Sequence, residues 1–78
     1  MRRTSLTSFH EKAVAEVEKY IGPAAAILVD DAIAKSGILP TESLDAFQIT
    51  KLLALLRREV PAFLDATAIS AAIERKLR

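Results

Sequence analysis

Residues 20–37 read YIGPAAAILVDDAIAKSG, and this stretch decides the fold. Gly22 accepts the left-handed backbone of a helix end. Pro23 suits a first helical position, where its missing amide would have no partner anyway. The pair therefore ends one helix and starts the next at a tight corner. The second helix is expected from Pro23 to about Lys35, with Ser36-Gly37 closing it. Ala24, Ala25, Ala26, Ile27, Leu28, Val29, Ala32, Ile33 and Ala34 make it apolar around nearly its whole circumference, so it is expected to be central and buried on nearly every side. Its small side chains let neighbouring backbones approach closely, as a short chain needs to fill its core.

Upstream, Ser8 and Glu11 have the spacing of a capping box and start a helix that ends at Gly22. At 100° per residue Phe9, Ala13, Val14, Val17, Tyr20 and Ile21 fall on one arc, and Glu11, Lys12, Glu16, Glu18 and Lys19 on the other. Downstream, Ile38-Leu39-Pro40 cannot continue a helix. Thr41 to Leu44 read as a short turn, with Glu42 as a helix-start acid. Asp45 and Gln48 form a second capping box, opening a helix that runs to Glu59 with Ile49, Leu52, Leu53, Leu56 and Val60 on its buried stripe. Pro61 ends it. Leu64 points inward only if the last helix starts after a cap at Asp65, and that helix buries Ala66, Ile69, Ile73 and Leu77. The fold class is all-α, a compact four-helix bundle with short loops. Residues 1–7 read as a flexible tail and 8–78 as a single helical domain.

The whole chain supports this economy. It has 78 residues, 51% apolar and 27% charged, which is enough to bury and enough to dissolve, and there is room for one small core. Cysteine is absent, so no disulfide or thiolate metal site contributes. The leader MRRTSLTSF lacks the apolar stretch of a signal peptide. The uncharged run from Tyr20 to Val29 is half the length of about 20 residues needed to cross a bilayer, so a cytoplasmic location is expected.

Residues that could carry chemistry are few. His10 is the only histidine and falls between Val17 and Ile21 on the apolar arc, without a partner at helical spacing. It reads as a partly buried structural residue; an enzyme would need a pocket holding His10 and a second polar group. Asp30 and Asp31 are adjacent, project about 100° apart and cannot clamp one ion as an i, i+4 pair would. They read as a solvated edge or an interhelical salt bridge, with Asp31 in reach of Lys35. No glycine-rich phosphate loop is present, because Gly22 and Gly37 are the only glycines. No catalytic, cofactor-binding or metal-ligating residue is assigned, and no cofactor or small-molecule substrate is expected. Eleven basic residues balance ten acidic ones for a net charge of +1. The clusters Arg2-Arg3, Arg57-Arg58 and Arg75-Lys76-Arg78 sit at segment ends, where the tail and the helix dipoles account for them.

The Tyr20-Ile21-Gly22-Pro23 corner, Ile27-Leu28-Val29, Leu52-Leu53 and the ending Glu59-Val60-Pro61 together resemble a small helical module of unknown function. That module is appended to bacterial signalling proteins such as serine/threonine protein kinases. The likeness spans about Glu11 to Leu77 and departs from the pattern at Asp30-Asp31, where basic residues would be expected. The resemblance implies a non-catalytic regulatory or interaction module of a bacterial cytoplasm and supplies no catalytic residues.

The apolar surplus points the same way. Ile27, Phe47 and Leu55 fall off the main stripes and are the candidate protein-binding residues, for a protein partner or a second copy in a homodimer. The alternative is a small helical DNA-binding regulatory domain, for which Arg57, Arg58 and Arg75 would have to converge. Neither nucleic acid nor a membrane is the expected partner.

Overall fold

The Asp45 carboxylate accepts the amide of Gln48 at 2.8 Å and the Gln48 side chain accepts the amide of Asp45 at 3.0 Å, so the expected capping box opens a helix over Ala46–Glu59. Caps of this kind contribute about 1 kcal/mol. In the computed structural model, which describes residues 4–39 and 43–77, the chain order is β1 (Thr4–Ser5), α1 (Leu6–Ile21), α2 (Ala24–Ser36), β2 (Ser43–Leu44), α3 (Ala46–Glu59) and α4 (Ala66–Leu77). The Asp65 carboxylate accepts the amide of Ala68, so α4 starts after Asp65, and Leu64 packs against the core as the angular argument requires.

The four helices form a closed ring. α1 packs on α2, α2 on α3, α3 on α4, and α4 back on α1. Inside it lie Phe9, Ala13 and Val17 of α1, Ala25, Val29 and Ala32 of α2, Leu52, Leu53 and Leu56 of α3, and Ile69 and Ile73 of α4, all buried. The fold is thus the all-α four-helix bundle that the helix punctuation predicts, with one addition. Thr4 pairs with Leu44 and Ser5 with Ser43 in a short antiparallel ladder. This ladder brings the starts of α1 and α3 together, while a Lys35–Glu59 ion pair brings the ends of α2 and α3 together. The described ends of the connection after Gly37 are therefore separated by roughly the 20 Å length of α3, which explains why it is the longest one.

Several expectations change. α1 starts at Leu6, not Ser8: Ser5 is its N-cap and accepts the Ser8 amide at 3.0 Å, while the Ser8 hydroxyl accepts from Lys12. Residues 4–7 are therefore part of the fold, with Leu6 buried in the core; Arg2 and Arg3 lie outside the described residues. So do Pro40, Thr41, Glu42 and Arg78, and the expected turn from Thr41 to Leu44 is replaced, over its described part, by β2. α2 is not enclosed on nearly every side. It packs on both α1 and α3, but Ala24, Ile27, Asp30, Asp31, Ala34 and Lys35 are exposed. A ring of four helices gives each member two neighbours, and the side facing away from both stays wet whatever its composition. Tyr20, on the expected buried arc, is half-exposed because α1 ends one residue later, at Ile21.

The two glycines end their helices by different geometries. Gly37 has φ 74° and ψ 7°, close to the left-handed helical well, whereas Gly22 has φ 66° and ψ −141°, a region other residues avoid. A Cβ at either would meet nothing within 4 Å, so the cost of substitution is backbone strain alone. Gly22→Ala is expected to destabilise by about 1–3 kcal/mol, and Gly37→Ala by about 1 kcal/mol. Thermal denaturation of the two variants side by side checks the order; a Gly37 variant as unstable as the Gly22 variant would contradict it.

Candidate functional site

Polar side chains cross each of the four seams of the ring. Between α1 and α2 the His10 Nε2 lies 2.7 Å from the Asp30 Oδ1. Between α2 and α3, Lys35 donates to Glu59 and also reaches Asp31 of its own helix at 3.5 Å. Between α3 and α4 the Arg57 guanidinium donates to the Ser70 hydroxyl at 3.4 Å. Between α4 and α1 the Lys76 ammonium lies 2.8 Å from the Glu16 carboxylate, which Lys19 approaches at 3.3 Å.

The adjacent aspartates diverge as their spacing requires. Asp30 turns to α1 and meets His10, while Asp31 holds Lys35, which leads on to α3. The expected Asp31 to Lys35 pair is present, and one of the two aspartates does make the interhelical link. The partner of His10 lies twenty residues away on another helix, out of reach of any spacing argument.

Glu16 departs furthest from the sequence reading. Assigned to the solvated arc, its side chain is only 8% exposed. The hydrogen bond from Lys76 holds its carboxyl below the ordinary glutamate value, against the opposing effect of burial and with help from Lys19. A depressed carboxyl contributes stability that is present above the unfolded value and is lost as pH falls through the folded one. The window therefore opens near the ordinary value of 4.5 and extends below it. Glu16→Gln is expected to cost about 1 kcal/mol at neutral pH, a low figure for charge-assisted bonds because both ammonium groups are half-exposed. It should also flatten the acid limb of a stability against pH curve. An acid limb identical to that of the parent would show that Glu16 is not its source. On the alkaline side, the hydrogen bonds to Glu59 and Glu16 raise Lys35 and Lys76 above their ordinary 10.5, so their contribution is lost only as pH climbs past that value.

His10 and Asp30 also border an open cavity of about 240 Å³, walled by Leu6, Thr7 and Ile33. This is the pocket with His10 and a second polar group that a catalytic reading demands, so its chemistry has to be considered. A carboxylate against one imidazole nitrogen orients the ring. A nucleophile must then be held at the other nitrogen, and among the described residues His10 hydrogen-bonds only Asp30. No activated hydroxyl is assembled there among the described residues. Among the described residues no three His, Asp or Glu side chains converge on a point that could hold a metal ion.

The candidate binding residues separate into two groups. Ile27 is 71% exposed and Phe47 78%, whereas Leu55 is partly buried and packs against the core. Phe63, in the turn before α4, is the most exposed large apolar residue at 82% and was not singled out by periodicity, because the turn has none. Arg57, Arg58 and Arg75 are all exposed, with Arg57 tied to Ser70.

Residues 8–78 match a family described as a domain of unknown function, DUF8082. The chain belongs to the DUF8082 family. The match covers nearly the entire bundle, from the second residue after Leu6 through α4, and so includes every seam described above. No curated protein and no solved structure matches the chain. Among the described residues no helix is long and apolar enough to cross a membrane.

Proposed function

We propose that this DUF8082 chain is a non-catalytic interaction module that self-associates or docks a protein partner, in a bacterial cytoplasmic signalling or regulatory setting. One observation carries the reading: of three phenylalanines, Phe9 is fully buried while Phe47 and Phe63 are largely outside. Exposing a phenylalanine forgoes about 1.5–3 kcal/mol of burial. The core does not need these two rings, since Phe9 and the Leu, Ile and Val residues around it already close the ring of helices. Half-exposed Tyr20, together with Ile27 and Leu39, adds apolar surface of the kind found where proteins meet. The resemblance of the Gly22-Pro23 corner and the Glu59-Val60-Pro61 ending to modules appended to signalling proteins supports the setting.

Sedimentation velocity over a range of roughly 1 to 300 μM tests it, a span that brackets contacts weaker and stronger than about −6 kcal/mol. The parent chain is expected to shift to dimer with concentration, and the double variant Phe47→Ser, Phe63→Ser to stay monomeric with unchanged thermal stability. A strict monomer at every concentration removes self-association. Salt-dependent binding to duplex DNA that vanishes when Arg57 and Arg58 are replaced would put a DNA-binding domain in its place.

A further inference from the structure

Resting on the reading of the chain as an interaction module, we propose that the cavity between α1 and α2 receives a lysine or arginine side chain of a partner protein, with a neighbouring apolar residue of that partner lying on Ile27. Three observations support this. The cavity, about 240 Å³, has the size of one long side chain, and Leu6 and Ile33 give it apolar walls suited to a methylene stem. At its rim stands the Asp30 carboxylate, which has one oxygen on His10 and no lysine or arginine partner among the described residues. Glu16, Asp31 and Glu59 each meet a lysine, whereas the charged-group partner of Asp30 among the described residues is His10. The Asp30 side chain is 66% exposed, so a cation can reach the free oxygen without displacing His10. Finally, Ile27 lies one turn before Asp30 on the outward side of α2 and is itself exposed. An incoming helix laid along α2 would meet an apolar spot and an anionic cavity one turn apart. The matching partner segment has an apolar and a basic residue three or four positions apart.

The test uses two probes followed by amide chemical shifts of the full chain. The first is n-butylguanidinium chloride, with butyrate and 1-butanol as controls. The second is an alanine-based helical peptide carrying one Arg and one Leu four positions apart. Butylguanidinium is expected to shift Leu6, Thr7, His10, Asp30 and Ile33 saturably. Asp30→Asn, which keeps an acceptor for His10, should weaken that binding by about tenfold or more. The peptide should also shift Ile27 and bind about tenfold tighter than butylguanidinium, and Ile27→Asn should abolish only that gain. Equal shifts with butyrate, or binding unchanged in Asp30→Asn, overturn the cation site. A peptide no tighter than butylguanidinium makes the occupant a free small cation, and concentration-dependent shifts of these residues in the protein alone make it a second copy; either overturns the partner side chain. Self-association is read separately, through Phe47 and Phe63, so the two proposals can fail independently.

Discussion

Replacing Phe9 with alanine is expected to lower the unfolding free energy by about 3–5 kcal/mol, the range for removing a fully buried aromatic ring. A chain of this length holds roughly 4–12 kcal/mol in total, so this one change would remove about a quarter or more of it. Phe9 is inaccessible to solvent and is among the largest side chains in the core. It sits one turn into α1, on the helix that packs against both α2 and α4, so the void cannot be closed by moving one neighbour. Urea denaturation followed by far-ultraviolet circular dichroism gives the measurement. The midpoint should fall sharply with the slope preserved. A loss below about 1 kcal/mol would mean that the ring of helices collapses around the gap.

Leu44→Ala is expected to cost about 2–4 kcal/mol, a large effect for a residue in a strand of two. Leu44 is buried, and its neighbour Ser43 is exposed, so the strand inserts one side chain into the core and shows the other to water. With that side chain gone, little holds β2 against the bundle except its pairing with Thr4 and Ser5. Ser43→Ala serves as the control and should change stability by less than about 0.5 kcal/mol. The same denaturation experiment distinguishes them; equal, small effects for both would show that the ladder and not the buried leucine positions this segment.

The features that sequence predicts well here are those written within one turn of chain. Asp45 with Gln48, Gly22 with Pro23, Gly37, and Asp65 with Ala68 each combine a backbone need with a residue that answers it a few positions away. The buried stripe of α3 follows from the same local spacing. What escapes is contact between distant segments. Glu16 stands only about 20° from Phe9 on the helical wheel, at the edge of the buried arc, and its charge suggests the wrong side. Only the arrival of Lys76 from the far end of the chain explains it. His10 and Asp30 are joined across a helix corner, and Thr4 and Leu44 across half the sequence, with no periodic signal in either pair. For α2 the composition itself misleads: Ala and Ile on an outward face cost little to expose singly, so an apolar circumference does not guarantee enclosure. Phe63 escapes because the turn that carries it has no periodicity to place it, whereas the exposure of Phe47 agrees with its position off the buried stripe of α3.

The polar contact on each seam has a further consequence for how many structures this sequence can adopt. Alanine and leucine faces fit together in several offsets of nearly equal energy, because one small or branched side chain substitutes readily for another a turn away. Sliding α4 by one turn along α1 would preserve much of the oily contact but leave the Glu16 carboxylate to Lys19 alone, at a cost of about 1 kcal/mol. Sliding α2 would separate Lys35 from Glu59 and His10 from Asp30 together. The pairs add little to the depth of the native well, yet they raise the floor of its neighbours, and a bundle made largely of interchangeable apolar parts thereby keeps to a single alignment.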